Sequence, residues 1–190
     1  MNFFALIPAV LTVAFSAAAM PAAAQQKLLP GQSSIGFEIK QMGVPVQGHF
    51  RKFDARISFD AAKLATSKVS FTVDIASATL GAPEMDAELP KATWFNTANF
   101  PQAQFTSSAF KALGAGKYEV AGKLAIKGQS HDVTVPLTMS QNGAATTASG
   151  VLPIKRLAFR IGEGDWADTS MVADDVQVRF KLLLSGMGKL

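Results

Sequence analysis

Val69-Ser70-Phe71-Thr72-Val73-Asp74-Ile75 places apolar and polar side chains in strict alternation. Successive side chains of an extended chain point to opposite faces, so this run reads as a strand with one dry and one wet face. The strands of a sheet covered on both sides read instead as continuous apolar runs. The same period of two recurs along the chain. Ile35-Gly-Phe37-Glu-Ile39-Lys40 and Phe53-Asp-Ala55-Arg-Ile57-Ser-Phe59 precede the run. Tyr118 to Ile126, Val133 to Met139 and Val176 to Leu182 repeat it downstream. Eight strands are expected, near 33–40, 46–59, 67–77, 103–111, 117–126, 131–140, 146–161 and 172–184. Gly43-Val-Pro45, Gly114-Ala-Gly116, Lys127-Gly128-Gln129 and Asn142-Gly143 supply turns between them, and the short spacing implies antiparallel, meander-like connections. Pro136 and Pro153 fall inside strands. Proline cannot donate to a ladder, so those strands are expected to be edge-like or bulged at these points.

Eight antiparallel strands, each with one apolar face, must hide that face in a two-sheet sandwich or a closed barrel. A barrel of that size is just wide enough for its own side chains or for one small ligand. Two stretches interrupt the alternation. Asp60-Ala-Ala-Lys-Leu-Ala suits one helical turn with Asp60 as its N-cap. Thr79 to Gln102 holds Pro83, Pro90 and Pro101 and has no period of two, yet carries Met85, Leu89, Trp94, Phe95 and Phe100. A segment that long and that apolar is expected to be helical in part and to fold over something.

Composition removes several kinds of chemistry. Cysteine is absent and only two histidines occur, His49 and His131, which excludes disulfides, thiolate metal sites and a cysteine nucleophile. The net charge of +4 is too small to argue for nucleic acid. Residues 1–24 carry no charged side chain, and the apolar run from Phe3 to Phe15 passes into Ala-rich sequence. That segment reads as a signal peptide cleaved before Gln25, with a membrane anchor as its rival. The remainder, 25–190, is expected to be one domain.

Candidate catalytic groups do not assemble. Ser130, His131 and Asp132 are adjacent, and adjacent strand residues face opposite ways, so they cannot form a relay by themselves. The acidic loop Gly162-Glu-Gly-Asp165-Trp166-Ala-Asp168 lacks the spacing of an EF-hand. Lys155-Arg156-Leu-Ala-Phe159-Arg160 reads either as a charged strand edge or as a grip for an anionic head group. Fourteen phenylalanines stand against one tyrosine and two tryptophans. Those rings read as a phenylalanine-rich core or as the lining of a cavity for a hydrophobic chain, and alternation is compatible with both.

Phe37-x-Ile39-Lys40, Gly43, Gly48-His-Phe50-x-x-Phe53 and Ile57-x-Phe59-Asp60 open a series of short motifs. Asp86, Leu89, Trp94-Phe95-Asn96, Phe100-Pro101-x-x-x-Phe105 and Val120-x-Gly122-x-Leu124-x-Ile126-x-Gly128 continue it. Ile154-x-Arg156-x-x-Phe159-x-Ile161-Gly162 and Asp175-x-Val-x-Val178 close it. In order and spacing the series, from about Ser33 to Leu184, resembles the YceI-like family of secreted polyisoprenoid-binding proteins. Two departures are Trp94-Phe95-Asn96, where two Phe and an Asp are more usual, and Gln41 in place of a frequent histidine.

The resemblance implies an all-β, eight-stranded antiparallel lipocalin-like barrel with a long, partly helical loop near its mouth. It implies a hollow interior holding an isoprenoid lipid, a periplasmic location, a link to stress responses, and no catalytic motif, metal or other cofactor. On that reading Phe37, Ile39, Phe71, Val73, Phe105, Leu124, Ile126, Leu137, Val178 and Phe180 face inward. Leu89, Trp94 and Phe95 cover the mouth, and Arg156, together with Lys40, meets a polar head. The isoprenoid lipid is the expected partner. A transient membrane or membrane-protein donor or acceptor and a homodimer are compatible with this reading, and nucleic acid is not. The rival functions are a filled barrel that binds protein and a secreted hydrolase.

Overall fold

The computed structural model describes residues 25–190; the expected leader, residues 1–24, lies outside them. The chain forms one antiparallel sheet of eleven strands. They are β1 (Lys27–Leu28), β2 (Ser34–Gln41), β3 (Val44–Phe50), β4 (Phe53–Ser58), β5 (Lys68–Asp74), β6 (Ala78–Thr79), β7 (Gln102–Gly114), β8 (Lys117–Ile126), β9 (Gln129–Asn142), β10 (Ala145–Lys155) and β11 (Val172–Ser185).

The expected strand over 46–59 is two strands, β3 and β4, broken at Arg51 and Lys52. The break has a structural consequence. Hydrogen-bonded neighbours run β4-β5-β7-β8-β9-β10-β11-β2-β3, so β3 serves one end of the sheet and β4 the other. The sheet curls until its ends meet in one continuous segment. Two backbone bonds hold the seam: Arg51 N–H donates to Ser77 O (3.2 Å) and Asp74 N–H to Lys52 O (3.0 Å). Counting 44–58 as one bent strand, the eight-stranded antiparallel barrel read from the sequence is the fold, with the two-residue β1 and β6 added at its ends.

The expected strand 146–161 ends at Lys155, and a 3-10 turn over Leu157–Phe159 follows. Strands β9 and β10 pair only from Asn142↔Ala145 to Leu137↔Gly150, then part. Pro136 and Pro153 both lie in the parted stretches, where their missing N–H groups deprive no partner. The Leu157–Phe159 turn closes the gap. His131 Nε2 lies 2.9 Å from Ala158 O, and its ring meets the buried Phe159 edge-on at 4.8 Å. Asp132 pairs instead with Lys123 at 2.9 Å, so the three-residue Ser-His-Asp run brings no relay together.

Tight turns join the long strands. Lys127 and Gly128 both have positive φ (47° and 75°), as a two-residue hairpin turn in a twisted sheet requires. The Asn142-Gly143 hairpin forms, with Gly143 (φ 58°) rather than Asn142 in the left-handed region. The helical turn expected with Asp60 as its N-cap is instead a 3-10 turn at Leu64–Thr66 with Lys63 at its N-cap; Asp60 Oδ1 accepts Ala62 N–H at 2.9 Å, a local turn that engages the carboxylate before the helix begins.

With β3 and β4 counted as one bent strand, the strands other than the short β1 and β6 run along the barrel, which gives it two distinct ends. At the upper end the segment 80–101, including the four-residue helix α1 (Pro83–Asp86), crosses the opening. At the lower end lie the β7–β8 and β9–β10 turns, the Leu64–Thr66 turn and the C-terminal residues 186–190. One buried cluster, with Phe59, Tyr118, Met139 and Leu184, packs the lower end. Another, with Ile75, Ile126, Phe159 and Ile161, packs the upper end.

Candidate functional site: a divided apolar cavity under a folded cap

A third buried cluster, Val120, Val135 and Leu152 against Phe105, Leu124, Val178 and Phe180, completes the core, and the interior that the three clusters line is hollow. An upper cavity of about 240 Å³ and a lower one of about 200 Å³ lie along the barrel axis. They share a wall formed by Ile35, Val73, Ala103, Leu124, Leu152 and Val178. Protein interiors rarely hold voids larger than a water molecule, whose share of liquid volume is about 30 Å³. Two such spaces in a small barrel are a feature that needs a cause.

The cause lies in where the phenylalanine rings rest. Phe37 pairs with Gly48 across β2 and β3, and a Cβ on Gly48 would come within 2.3 Å of the ring. Phe180 pairs with Gly150, where a Cβ would lie 2.7 Å from the ring. A Cβ on Gly122 would fall 2.6 Å from the Phe105 ring. Each ring lies over a glycine on the barrel wall instead of projecting to the axis. The rings line the space without filling it.

The inward-facing residues expected from alternation distribute between the two cavities. Phe37, Ile39 and Ile126 line the upper one; Phe71, Phe105, Leu137 and Phe180 line the lower; Val73, Leu124 and Val178 line both. Leu89, Trp94 and Phe95 of the crossing segment also line the upper cavity, with Leu80 and Met85 from the same segment. The crossing segment therefore buries its apolar side chains against the cavity it covers. Residues not anticipated include Val46, Ile154, Val172 and Val176 above, Val69, Val120 and Met187 below, and Leu152 in both. Most of them sit at alternate positions on the same strands, so the period of two was their signal; Met187 lies beyond the last strand and had none.

The cap is anchored by a carboxylate. Asp86 accepts from the buried Thr79 hydroxyl and from Leu80 N–H, both at 2.5 Å. These two hydrogen bonds, helped by the nearby Arg51 and His49, hold its pKa below the usual carboxylate value of 3.8. A carboxyl with a lowered pKa stabilises the fold fully above that value and loses the contribution as pH falls through the folded value. Asp86→Ala is therefore expected to speed amide exchange across 80–95 at neutral pH while the barrel strands keep their protection. Wild type is expected to show the same selective loosening only in strong acid.

Arg156 departs from its expected role. It lines the upper cavity but is only 1% exposed, and its guanidinium is fully engaged. Nε donates to Ala173 O (3.0 Å), Nη1 to Ile161 O and Gly162 O (2.8 and 2.9 Å), and Nη2 to Trp166 O and Val172 O (2.6 and 2.7 Å). An arginine has five N–H donors, and all five are matched. Burial pushes its pKa down, partly offset by nearby Asp174. No donor is left for a head group. The rest of the basic cluster is also engaged: Lys155 pairs with Asp175 (2.8 Å) and Arg160 with Glu163 (2.8 Å). The cluster folds the 156–172 loop and does not form a grip. Lys40 is exposed and is not part of the cavity wall; it follows the inward Ile39 on β2, so the pleat turns it outward. Polar atoms at the upper cavity come instead from Gln41, Glu88 and Trp94. The Trp94 indole Nε1 is buried and has no hydrogen-bond partner among the described residues, and its ring packs against Trp166 at 5.4 Å.

An antiparallel barrel closed by a bent strand, with a divided apolar interior and a cap over one mouth, defines a class of small hydrophobic-cavity proteins. Residues 27–184 match the YceI-like domain, and the chain belongs to that family. A UPF0312 protein of Photorhabdus laumondii is 34% identical over 146 residues, 72% of this chain and 76% of the relative. Protein YceI of Escherichia coli O157:H7 is 32% identical over 131 residues, 68% of each chain. Among solved structures, BcnA of Burkholderia cenocepacia is 47% identical with a TM-score of 0.80, covering 82% of this chain and 98% of its own. A polyisoprenoid binding domain from Saccharophagus degradans shares the fold at 16% identity and a TM-score of 0.69, covering 85% of this chain and 98% of its own.

Proposed function

We propose that this protein is a non-catalytic carrier or store for an isoprenoid lipid in the periplasm, with a part in stress responses. The observation that carries the reading is the pair of apolar cavities, which the glycine-backed rings keep open. Family membership and the polyisoprenoid binding domain with the same fold support it. A polyprenyl or isoprenoid-quinone tail fits the chemistry of the lining: a long, branched, apolar chain that both compartments could hold in series. Its transfer from water gains roughly 25 cal/mol per Å² buried, less the cost of ordering the chain. Polar selection falls to the few groups at the upper mouth, Gln41, Glu88 and Trp94, because Arg156 has no free donor. Reading the barrel as a filled protein-binding module leaves the two cavities without a cause.

Native mass spectrometry of the protein purified after export, paired with lipid extraction, tests this reading. An isoprenoid species at near unit stoichiometry is expected, and its mass identifies the ligand. The protein mass reports whether the chain begins at Gln25. Empty protein that also refuses added polyprenols and quinones would sink the proposal.

A further inference from the structure

The barrel is electrically polar along its axis. Six exposed lysines gather at the lower end: Lys27, Lys63, Lys68, Lys111, Lys117 and Lys189. The fold brings them together from distant parts of the chain. Gln26 exchanges two hydrogen bonds of 2.7 Å with the backbone of Phe59, which sets Lys27 beside the 60–67 loop. The Leu64–Thr66 turn packs on β7, so Lys63 and Lys68 stand near Lys111. Gln141 Nε2 donates to Gly188 O (3.1 Å), which fixes the C-terminal tail, with Lys189, at this end. Among the described residues two side-chain carboxylates accompany them, with the carboxylate of Leu190 beside Lys189. Glu119 pairs with Lys111 at 3.6 Å, and Asp60 is held in its own local turn. Among the described residues the other five lysines make no ion pair.

The upper end tilts the other way: Glu84, Asp165 and Asp168 are exposed there and make no ion pair among the described residues, against the exposed Lys40, while Asp175 is paired with Lys155. That end does carry an exposed apolar trio, Met42, Val44 and Met171, yet an anionic surface would repel its acidic surroundings. At the lower end the exposed apolar residue is Leu113, half exposed near the tip of the β7–β8 hairpin, between Lys111 and Lys117. Met187, in the tail after β11, lines the lower cavity at this end.

We infer that the lower, lysine-rich end is a docking surface for an anionic lipid bilayer, with Leu113 entering the interface. Each lysine near such a surface strengthens binding by about fivefold, and a half-buried leucine adds a comparable factor. Nucleic acid is disfavoured because, among the described residues, the large exposed apolar residue at this end is a leucine, and no exposed aromatic platform for stacking stands among the lysines. Docking would seat the lower cavity and the C-terminal tail against the membrane. This extends the carrier reading and draws its purpose from it, but the docking can be measured on empty protein.

Flotation of lipid-free protein with phosphatidylcholine vesicles, with and without about a third phosphatidylglycerol, gives the test. Binding only to the anionic vesicles, lost in about 0.5 M salt, is expected. Lys68→Glu with Lys117→Glu should weaken it at least 25-fold, and Leu113→Ser about fivefold. Lys40→Glu with Lys123→Glu, the same charge change on the upper half of the barrel and outside the cavity lining, should leave it within about threefold. Loading of a detergent-dispersed polyprenol, assayed separately, should be unchanged in all of these, so a failed carrier reading and a failed docking surface give different results. Equal binding to neutral vesicles, equal loss from both double variants, or equally tight capture by soluble polyglutamate or DNA would overturn the docking surface.

Discussion

Arg156→Ala is expected to destabilise the fold by about 3–5 kcal/mol, among the largest losses for any single side chain here. The reason is the number of groups that depend on it. Five backbone carbonyls, from Ile161, Gly162, Trp166, Val172 and Ala173, converge on one guanidinium. Removing the donor leaves these acceptors beside an apolar cavity, where an unmade hydrogen bond costs far more than an ordinary one contributes. The surroundings are also shaped to the side chain. Gly162 has φ +76°, and a Cβ there would lie 2.3 Å from Nη1, so the loop can approach the guanidinium only through glycine. For a domain of this size the loss lowers Tm by on the order of 10 °C. Arg156→Lys offers three donors from a point charge where five in a planar fork are used, and should recover about half of the loss. Urea unfolding of the three proteins, with amide exchange at Ile161 to Trp166, measures both effects. A loss under about 1 kcal/mol for the alanine variant would contradict a structural role. Normal stability with abolished lipid binding in the lysine variant would restore the head-group role that the sequence suggested.

That reversal for Arg156 shows where sequence reading reached its limit. Alternation gave the strands and the inward faces, because a period of two is a local property of the chain. It could not show that the cation at 156 sits where five carbonyls from 161–173 converge, because that depends on how a distant loop closes. The break at Arg51 and Lys52 was hidden for a related reason: Phe50 and Phe53 both continue an apolar pattern, while the change of pairing partner is a property of the closed sheet. Hollowness was more legible than it first seemed. Gly48, Gly122 and Gly150 interrupt strands in which glycine is otherwise unfavourable. Strand glycines that face bulky rings on a neighbouring strand place those rings against the wall. Reading Gly48 with Phe37 and Gly150 with Phe180 requires the strand register, and register follows once the hairpin turns are fixed. The lysine collar, by contrast, has no local signature. Its members come from four separate stretches of the sequence and meet only through the topology.

Ala103→Phe is expected to raise stability and to abolish loading of a long-chain lipid. Ala103 is buried on β7 and belongs to the wall that both cavities share. Its neighbours at that level, Val73 across the ladder and Leu124 on β8, already face the interior. A phenyl ring grown from this Cβ enters space that is empty, so it gains apolar burial without displacing packed atoms. Cavity-filling changes of this kind commonly contribute about 0.5–2 kcal/mol, whereas overpacking a filled core costs about 1–3. The sign of the change therefore reports whether the centre of the barrel is open. The effect on loading runs the other way. If one isoprenoid chain threads both compartments, the ring blocks its path, and affinity for a long polyprenol should fall at least 100-fold. A short apolar ligand that fits the upper cavity alone should stay within about tenfold, because few of its contacts are lost. Thermal unfolding and native mass spectrometry on the same protein separate the two effects. Unchanged long-chain loading would confine the lipid to one compartment, and a loss of stability would mean the space at Ala103 is closed in solution. A more stable protein that no longer loads would tie the open interior directly to the lipid, since unfolding could not then explain the lost binding.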